Sequence, residues 1–531
     1  MKSPIDVLRS YRPHNGTLND AFSSRCQHRT DDVFIIQSGA SLTWGQFGAR
    51  YDRLARALKA RGVGRGDRVA VVGRNDMTHL LALFALARLG AVMVPMNPDY
   101  STRELTYAFN HADVKGIIAQ AELLQSIEQA TQAMVQKPWT LLWGQSPAGN
   151  AASVEQAIDN APDLPLSDEG RATDTCVIIY TSGTTGYPKG VMHSQHNLLL
   201  AGEANVARLH MQPDDRVMII LPFFHVNALF YSMCGVLAAG ASMIIEPRFS
   251  ATHFWNTAAD QGATIVNIIE AIGTILCARD RSEYRPDHRL RVVYGVRKKA
   301  AEVFRREFGI DHLFSGFGMT EIPGVTCNPY DGPDKAGSMG VIGAHPDPDR
   351  PWAVCRVVDD DGCDVGTDQA GELWVKSPIV MQGYFRDPEQ TELAFHDGWL
   401  KTGDLVRRDA EGFYFHISRK KDIIRRRGEN IAAAELEMVI GEHPNVFQVA
   451  ALAVPSEMGE DDIFVAVVAK PGLALSESEV AAWCADRLAA IKVPRYVVLL
   501  ETLPLTPTHK IAKAVLRNDA QIRARAVDLQ G

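Results

Sequence analysis

The sequence predicts an α/β fold: a large N-terminal domain of layered, mostly parallel sheets covered by helices, followed by a small α+β domain. Three observations carry this reading. Helical and strand periodicities alternate through the first part of the chain, as parallel sheets with crossover helices require. Composition changes abruptly near Arg419, where basic residues crowd together. Beyond that point the remaining segment, roughly 110 residues and so of ordinary domain size, again mixes strands and helices.

The elements follow in order. Thr43, with Gln46 three residues on, forms a capping box. Phe47, Tyr51, Leu54, Ala55 and Leu58 then recur at helical spacing, and Gly62 stops the helix. Val69 to Val72 reads as a strand, Leu80 to Leu89 as a helix ended by Gly90, and Ala91 to Val94 as a strand before Pro95. Ser101 and Glu104 form a second capping box, leading into a helix and the strand Gly116 to Ala119. From Gly144 to Asp174 the chain is rich in Ala, Asp, Pro and Ser and reads as a surface excursion. Val177 to Ile179 is the next strand. In the C-terminal part a helix begins at Glu435, and strands run near Val449 to Val454 and from Ile463 to Ala469. Ser476 and Glu479 cap a helix there, and Tyr496 to Leu500 is the last strand. A boundary near Lys421 divides the chain into domains 1–420 and 421–531.

Composition limits the function classes. With 46% hydrophobic and 22% charged residues, the chain can build a core, which excludes disorder, collagen and coiled coil. Its 531 residues correspond to roughly three or four domain-sized units. A net charge of −8 argues against a nucleic-acid binder. The eight cysteines contain no C-x-x-C pair, so they read as reduced thiols of a cytoplasmic protein, without a disulfide frame or zinc site. The N-terminus lacks an apolar signal region. Ala228 to Ile245 is uncharged, but Gly235, Gly240 and Ser242 interrupt it. It reads as a buried helix running into a buried strand, not an integral membrane segment.

The strongest local signal is Tyr180-Thr-Ser-Gly-Thr-Thr-Gly-Tyr-Pro-Lys-Gly190. It follows a strand. Hydroxyls at Thr181, Ser182, Thr184 and Thr185, glycines at Gly183 and Gly186, and the charge of Lys189 suit a loop that wraps phosphate oxygens. It is not a Walker loop, because Gly190 follows the lysine where Ser or Thr would stand.

This stretch resembles the signature of adenylate-forming enzymes, the superfamily of acyl-CoA synthetases, luciferases and peptide-synthetase adenylation domains. Further matches arrive in the family's order: Pro222-Phe-Phe-His225, Gly316-Phe-Gly-Met-Thr-Glu321, Thr402-Gly-Asp404, Arg419 to Ile431, and Thr506-Pro-Thr-His-Lys510. They extend the resemblance from about Thr43 to Lys513. The nearest branch in look is that of carnitine/crotonobetaine-CoA ligases. The resemblance implies a small β-barrel-like part in the large domain and a mobile C-terminal cap.

It also implies a reaction and the residues that carry it. A carboxylate attacks the α-phosphate of ATP to give an acyl-adenylate, and the thiol of coenzyme A then takes the acyl group. The first step brings anion against anion, so cations are needed. Lys510 would bridge the carboxylate and the α-phosphate, Glu321 would hold Mg²⁺, and Thr320 would bond the α-phosphate. Thr181, Ser182, Gly183, Thr184, Thr185 and Lys189 would cradle the phosphates. Phe317 and Gly295 would sandwich adenine, with Val296, Gly316, Gly318 and Met319 beside it. Asp404 would accept both ribose hydroxyls and Arg419 would donate to the ribose side. His225, Asn227 and Phe230 would line the acyl pocket. Lys421 matches the hinge about which the cap rotates between the two steps. Gly428 and Glu429 would border the coenzyme A arm, and Arg425 to Arg427 are either a contact for its phosphates or a solvated basic face.

The sequence departs from the family pattern at four places. Tyr294-Gly-Val-Arg297 replaces the usual Gly-Gly-Ala-Pro, Ser418 stands before Arg419, His509 precedes the lysine, and Ala432-Ala433 follows Ile431. Three functions therefore stay open. One is a complete acid–CoA ligase. Another is a half-reaction specialist that takes a ready-made acyl-adenylate, or loads another acceptor. The third is a non-catalytic nucleotide- or acyl-adenylate-binding protein that keeps the fold, against which the intact Lys510, Glu321 and Asp404 argue. The expected partners are a small carboxylic acid or its adenylate and no nucleic acid, with a homodimer left open.

Overall fold

The computed structural model describes the chain except residues 145–151, 182–187, 297, 351, 427–428, 457–459, 506–510 and 530–531, and only the backbone of 298–299, 421 and 430. The chain forms two compact units. The first comprises Met1–Val354 with Val375–Leu400, the second Cys355–Trp374 with Lys401–Gly531.

The first unit holds two seven-stranded sheets. In one, Arg68–Val72, Val92–Met96, Gly116–Gln120, Trp139–Trp143 and Thr175–Thr181 run parallel, as the β/α alternation predicts. Its other end is an antiparallel hairpin, Thr175–Thr181 with Lys189–Ser194, edged by the short strand Gly383–Tyr384. In the second sheet Val33–Gln37, Ser242–Ile245, Arg216–Ile219, Ile265–Asn267, Val292–Tyr294 and His312–Phe314 are parallel, with Ala40–Thr43 antiparallel at one edge. Parallel strands are buried on both faces by helices. The helix Met77–Arg88 shows this clearly, for every residue from Thr78 to Ala87 is buried. Each Leu or Phe in it contributes about 2 kcal/mol by leaving water.

The local signals act where the sequence places them. Thr43 and Ser101 make reciprocal capping boxes with Gln46 and Glu104, each worth about 1 kcal/mol. The helix read from Leu80 begins three residues earlier because Asp76 caps it, accepting from the Thr78 N–H. The segment read as a surface excursion is partly core. Ser153 and Gln156 cap the short helix Val154–Asp159, and Val154 and Ile158 bury their side chains. The uncharged stretch from Ala228 is a π-helical turn, Asn227–Met233, then the helix Cys234–Ala239 and the strand Ser242–Ile245. Gly240 stops the helix at φ +69, where a Cβ would run into the Tyr11 hydroxyl. Among the described residues no helix is long and apolar enough to cross a membrane. All eight cysteines are unpaired, and five of them are buried.

An open, half-barrel sheet is built from Val354–Val358, Gly371–Lys376, Trp399–Arg408, Phe395–His396 and Tyr414–Arg419. Its residues 355–374 and those from Lys401 onward belong to the second unit. That unit continues with the hairpin Ile423–Arg426 and Glu429–Ala432. A four-stranded sheet follows, of Val446–Pro455, Asp461–Ala469, Tyr496–Leu499 and Val527–Asp528. The helices Ala433–Gly441 and Glu477–Ala485 accompany it, the latter capped by Ser476 and Glu479. The basic run is not simply a solvated face. Arg426 is 3% exposed; it donates to the carbonyls of Ile491 and Val493 and lies 3.4 Å from Asp462. Lys420 pairs with Asp360 at 2.8 Å. Arg425 is exposed.

Candidate active site

In the first unit the hairpin Thr175–Thr181 with Lys189–Ser194, expected to cradle phosphates, supplies the frame. Thr181 ends one strand, Lys189 opens the other, and the two are paired. The Lys189 ammonium donates to the amide oxygen of Gln390 and lies 4.9 Å from the centre of the Tyr384 ring. Further along the same strand His193 is fully buried, which pushes its pKa down to about 4. It is therefore neutral near pH 7, and its Nε2–H donates to the Thr320 carbonyl at 2.7 Å. Its ring meets Phe230 edge-on at 4.8 Å. One histidine thus ties the hairpin to the Thr320-Glu321 corner and to the π-helical turn.

Glu321 is itself 9% exposed. The Tyr384 hydroxyl donates to its Oε1 at 2.8 Å, and its backbone carbonyl accepts from the Met381 N–H. The strands Gly316–Met319 and Ile322–Cys327 bring the motif into a tight antiparallel turn. Gly316 and Gly318 allow that closeness. A Cβ on Gly316 would stand 2.5 Å from the Tyr294 hydroxyl, and one on Gly318 would stand 2.5 Å from the Tyr231 hydroxyl. Phe317 is buried. Gly295 has φ +99, and its missing side chain clears the Ile268 carbonyl. Val296, expected beside the nucleotide, turns its side chain into an apolar cluster with Ile268 and Phe304. The His225 ring lies tilted against Phe224 with centroids 4.5 Å apart, Asn227 has a buried Oδ1 without a described partner, and Phe230 is fully buried.

In the second unit Thr402-Gly403-Asp404 forms a fixed turn. The Thr402 hydroxyl donates to the Leu373 carbonyl and accepts from the Asp404 N–H. Gly403, at φ +70, donates its N–H to Glu372. Asp404 is only 1% exposed. Its Oδ1 accepts from His416 at 3.0 Å and faces the Arg419 Nε at 2.8 Å. Its Oδ2 is equally buried and has no partner among the described residues. Burying half a carboxylate unsatisfied is costly, and the arrangement suits an acceptor for ligand hydroxyls.

Two family matches cover most of the chain. Residues 22–385 match the AMP-binding enzyme family and residues 435–510 its C-terminal domain. This chain belongs to the AMP-binding enzyme family. It is 31% identical to the sulfoacetate–CoA ligase of Cupriavidus necator, over 95% of this chain and 98% of that one. It is 28% identical to the crotonobetaine/carnitine–CoA ligase of Escherichia coli, over 88% and 91% of the two chains. The ATP-bound structure of MatB from Rhodopseudomonas palustris superposes with a TM-score of 0.84 at 29% identity, covering 94% of this chain and 98% of that one.

In this AMP-binding enzyme the structure brings together, within one unit, Thr181, Lys189, Thr320, Glu321 and Phe230. In the other it joins Asp404 to Arg419. Glu429 is exposed at the start of its strand. Lys421 lies in the single turn Lys420–Asp422. Ser182, Gly183, Thr184, Thr185, Gly428 and Lys510 lie outside the described residues. Sequence reasoning missed His193, Tyr384, Gln390 and His416. A signal existed for His193: on a strand read from Lys189, it falls with Val191 on one face, an odd place for an imidazole. Nothing in the sequence marks Tyr384 or Gln390 as neighbours of Lys189.

Proposed function

We propose that this AMP-binding enzyme is an acid–CoA ligase that uses ATP to activate a carboxylic acid as its acyl-adenylate, releases pyrophosphate, and passes the acyl group to coenzyme A with release of AMP. The single observation that carries the nucleotide reading is Asp404. It is a buried carboxylate with one oxygen held by His416 and Arg419 and the other without a described partner, as a pair of ribose hydroxyls would require. Thr181 and Lys189 would contact the phosphates, Thr320 the α-phosphate, and Lys510 would neutralise the approach of the carboxylate. Glu321 fits magnesium by its chemistry, a hard carboxylate oriented through Oε1 by a neutral hydroxyl. The ion, when bound, would screen phosphate charge. Lys421 would be the hinge, and Gly428 with Glu429 would border the coenzyme A arm.

The relatives named above act on unlike acids, so the acid itself is open. A panel of carboxylic acids is offered with ATP and Mg²⁺, with and without coenzyme A, and AMP and thioester are followed by mass. Thioester from free acid is expected. Thioester only from synthetic acyl-adenylate would instead favour the half-reaction reading. One observation favours that second reading: at the Gly-Gly-Ala-Pro position the buried ring of Tyr294 presses its hydroxyl toward Gly316, taking room beside the proposed adenine loop.

A further inference from the structure

Tyr384 belongs to none of the nucleotide motifs, yet it touches both charges of the proposed phosphate site. Its hydroxyl donates to Glu321 Oε1 at 2.8 Å, and the face of its ring receives the Lys189 ammonium at 4.9 Å from the centroid. A hydroxyl bonded to an ionised carboxylate makes one of the stronger hydrogen bonds in proteins. An ammonium over an aromatic face is held by the ring quadrupole.

The backbone of Tyr384 is fixed from two sides. Gly383 and Tyr384 pair with Met192 and Val191 of the hairpin that bears Lys189, and the next residue, Phe385, donates its N–H to the Gly190 carbonyl at 2.7 Å. On the other side the Tyr384 N–H donates to the Thr391 hydroxyl at 2.9 Å, inside the helix Pro388–Ala394. Asp387 caps that helix, and the helix also carries Gln390, the second neutral partner of Lys189. The ring is thus carried on a backbone anchored both to the hairpin that bears Lys189 and to the helix that bears Gln390.

We propose that Tyr384 is a positioning residue that, from one side chain, presents the Glu321 carboxylate to magnesium and the Lys189 ammonium to the nucleotide phosphates. The inference rests on the ligase reading above. The hydroxyl occupies one carboxylate oxygen of Glu321 and fixes the plane of the group. The π face gives Lys189 a neutral seat from which it can turn to an anion.

The two functions of the side chain separate by substitution. Tyr384→Phe keeps the ring and removes only the hydroxyl; Tyr384→Leu removes both. Calorimetric binding of ATP to the full-length protein is measured with Mg²⁺ and, separately, with EDTA. For Tyr384→Phe we expect Mg·ATP to bind about five- to tenfold more weakly, while metal-free ATP stays within about twofold of wild type. For Tyr384→Leu metal-free ATP should also weaken, by about two- to fivefold. In a Glu321→Gln background, Tyr384→Phe should add less than about twofold, since the two groups act through one bond. The inference is overturned if Tyr384→Phe binds Mg·ATP as wild type does. It is equally overturned if that variant loses ATP to the same extent with and without Mg²⁺, the pattern of a general structural defect. Wild-type protein that binds no ATP under either condition would remove the ligase reading and this inference together.

Discussion

At the scale of single residues, Asp404 shows how a carboxylate is readied for neutral donors. His416 and Arg419 engage Oδ1, so the charge is partly answered before any ligand arrives, and Oδ2 alone is left to accept. Asp404→Ala should weaken ATP binding by about tenfold to a hundredfold, the range for hydrogen bonds to a charged group. It should also free Arg419 and His416 from their shared partner. Titration calorimetry checks the affinity, and unchanged affinity would remove Asp404 from the nucleotide site. Gly295 is the second case. At φ +99, with the Ile268 carbonyl where a Cβ would go, Gly295→Ala should cost about 2 kcal/mol or more in stability. Chemical denaturation measures it. The identity of Asp404 was legible only through the resemblance of Thr402-Gly-Asp404 to the family's motif, since an Asp after Gly by itself reads as a turn residue. The two fates of its oxygens were not, because His416 lies on the next strand and meets Asp404 only through sheet register.

At the scale of elements, the hairpin of Thr175–Thr181 and Lys189–Ser194 is held by its own pairing and by what packs on it. His193 is the clearest link, a neutral donor from the hairpin to the Thr320 carbonyl. Burial holds both His193 and His79 down at about 4. In the unfolded chain a histidine protonates near pH 6.5, so between about pH 6.5 and 4 the unfolded state binds more protons than the folded one. Stability should therefore fall as pH drops through that window and stay level above it. At pH 5 the loss is about 2 kcal/mol per histidine. Thermal unfolding at pH 7.5 and pH 5 tests this, and His193→Gln, which keeps a donor but cannot titrate, should flatten the slope. The capping boxes at Thr43, Ser101 and Ser476 were legible because they are local, each complete within four residues. The start of the helix at Met77 was missed because Asp76 caps it without a Glu or Gln at the third position. The buried helix at Val154 was missed because its neighbours look like loop.

At the scale of the whole molecule, the proposed reaction needs two nucleophiles to reach one carbon in turn. The resemblance assigns the first step to Lys510 and the change between steps to a turn at Lys421. Lys510→Ala should slow adenylate formation by about 10²–10³-fold, comparable to losing one preformed electrostatic donor. It should largely spare thioester formation from supplied acyl-adenylate. Rapid-quench measurement of each half-reaction tests this, and equal loss in both would contradict the division of labour.

The sequence by itself determined the alternation of strands and helices, the small C-terminal α+β unit and the Gly- and Thr-rich stretch after Tyr180, while the acidic residues expected at the nucleotide came from its resemblance to the family. The first three are written in short windows: periodicity, caps, and runs of glycine and hydroxyl side chains act over a few residues. Tertiary structure alone decided that Tyr384 serves Lys189 and Glu321 at once, that His193 braces Thr320, that Arg426 is an internal strut, and that Val296 belongs to the core. Each of these depends on strands far apart in the chain being laid side by side. Which side chains then meet is fixed by sheet register and helix packing, quantities to which no local pattern of residues corresponds.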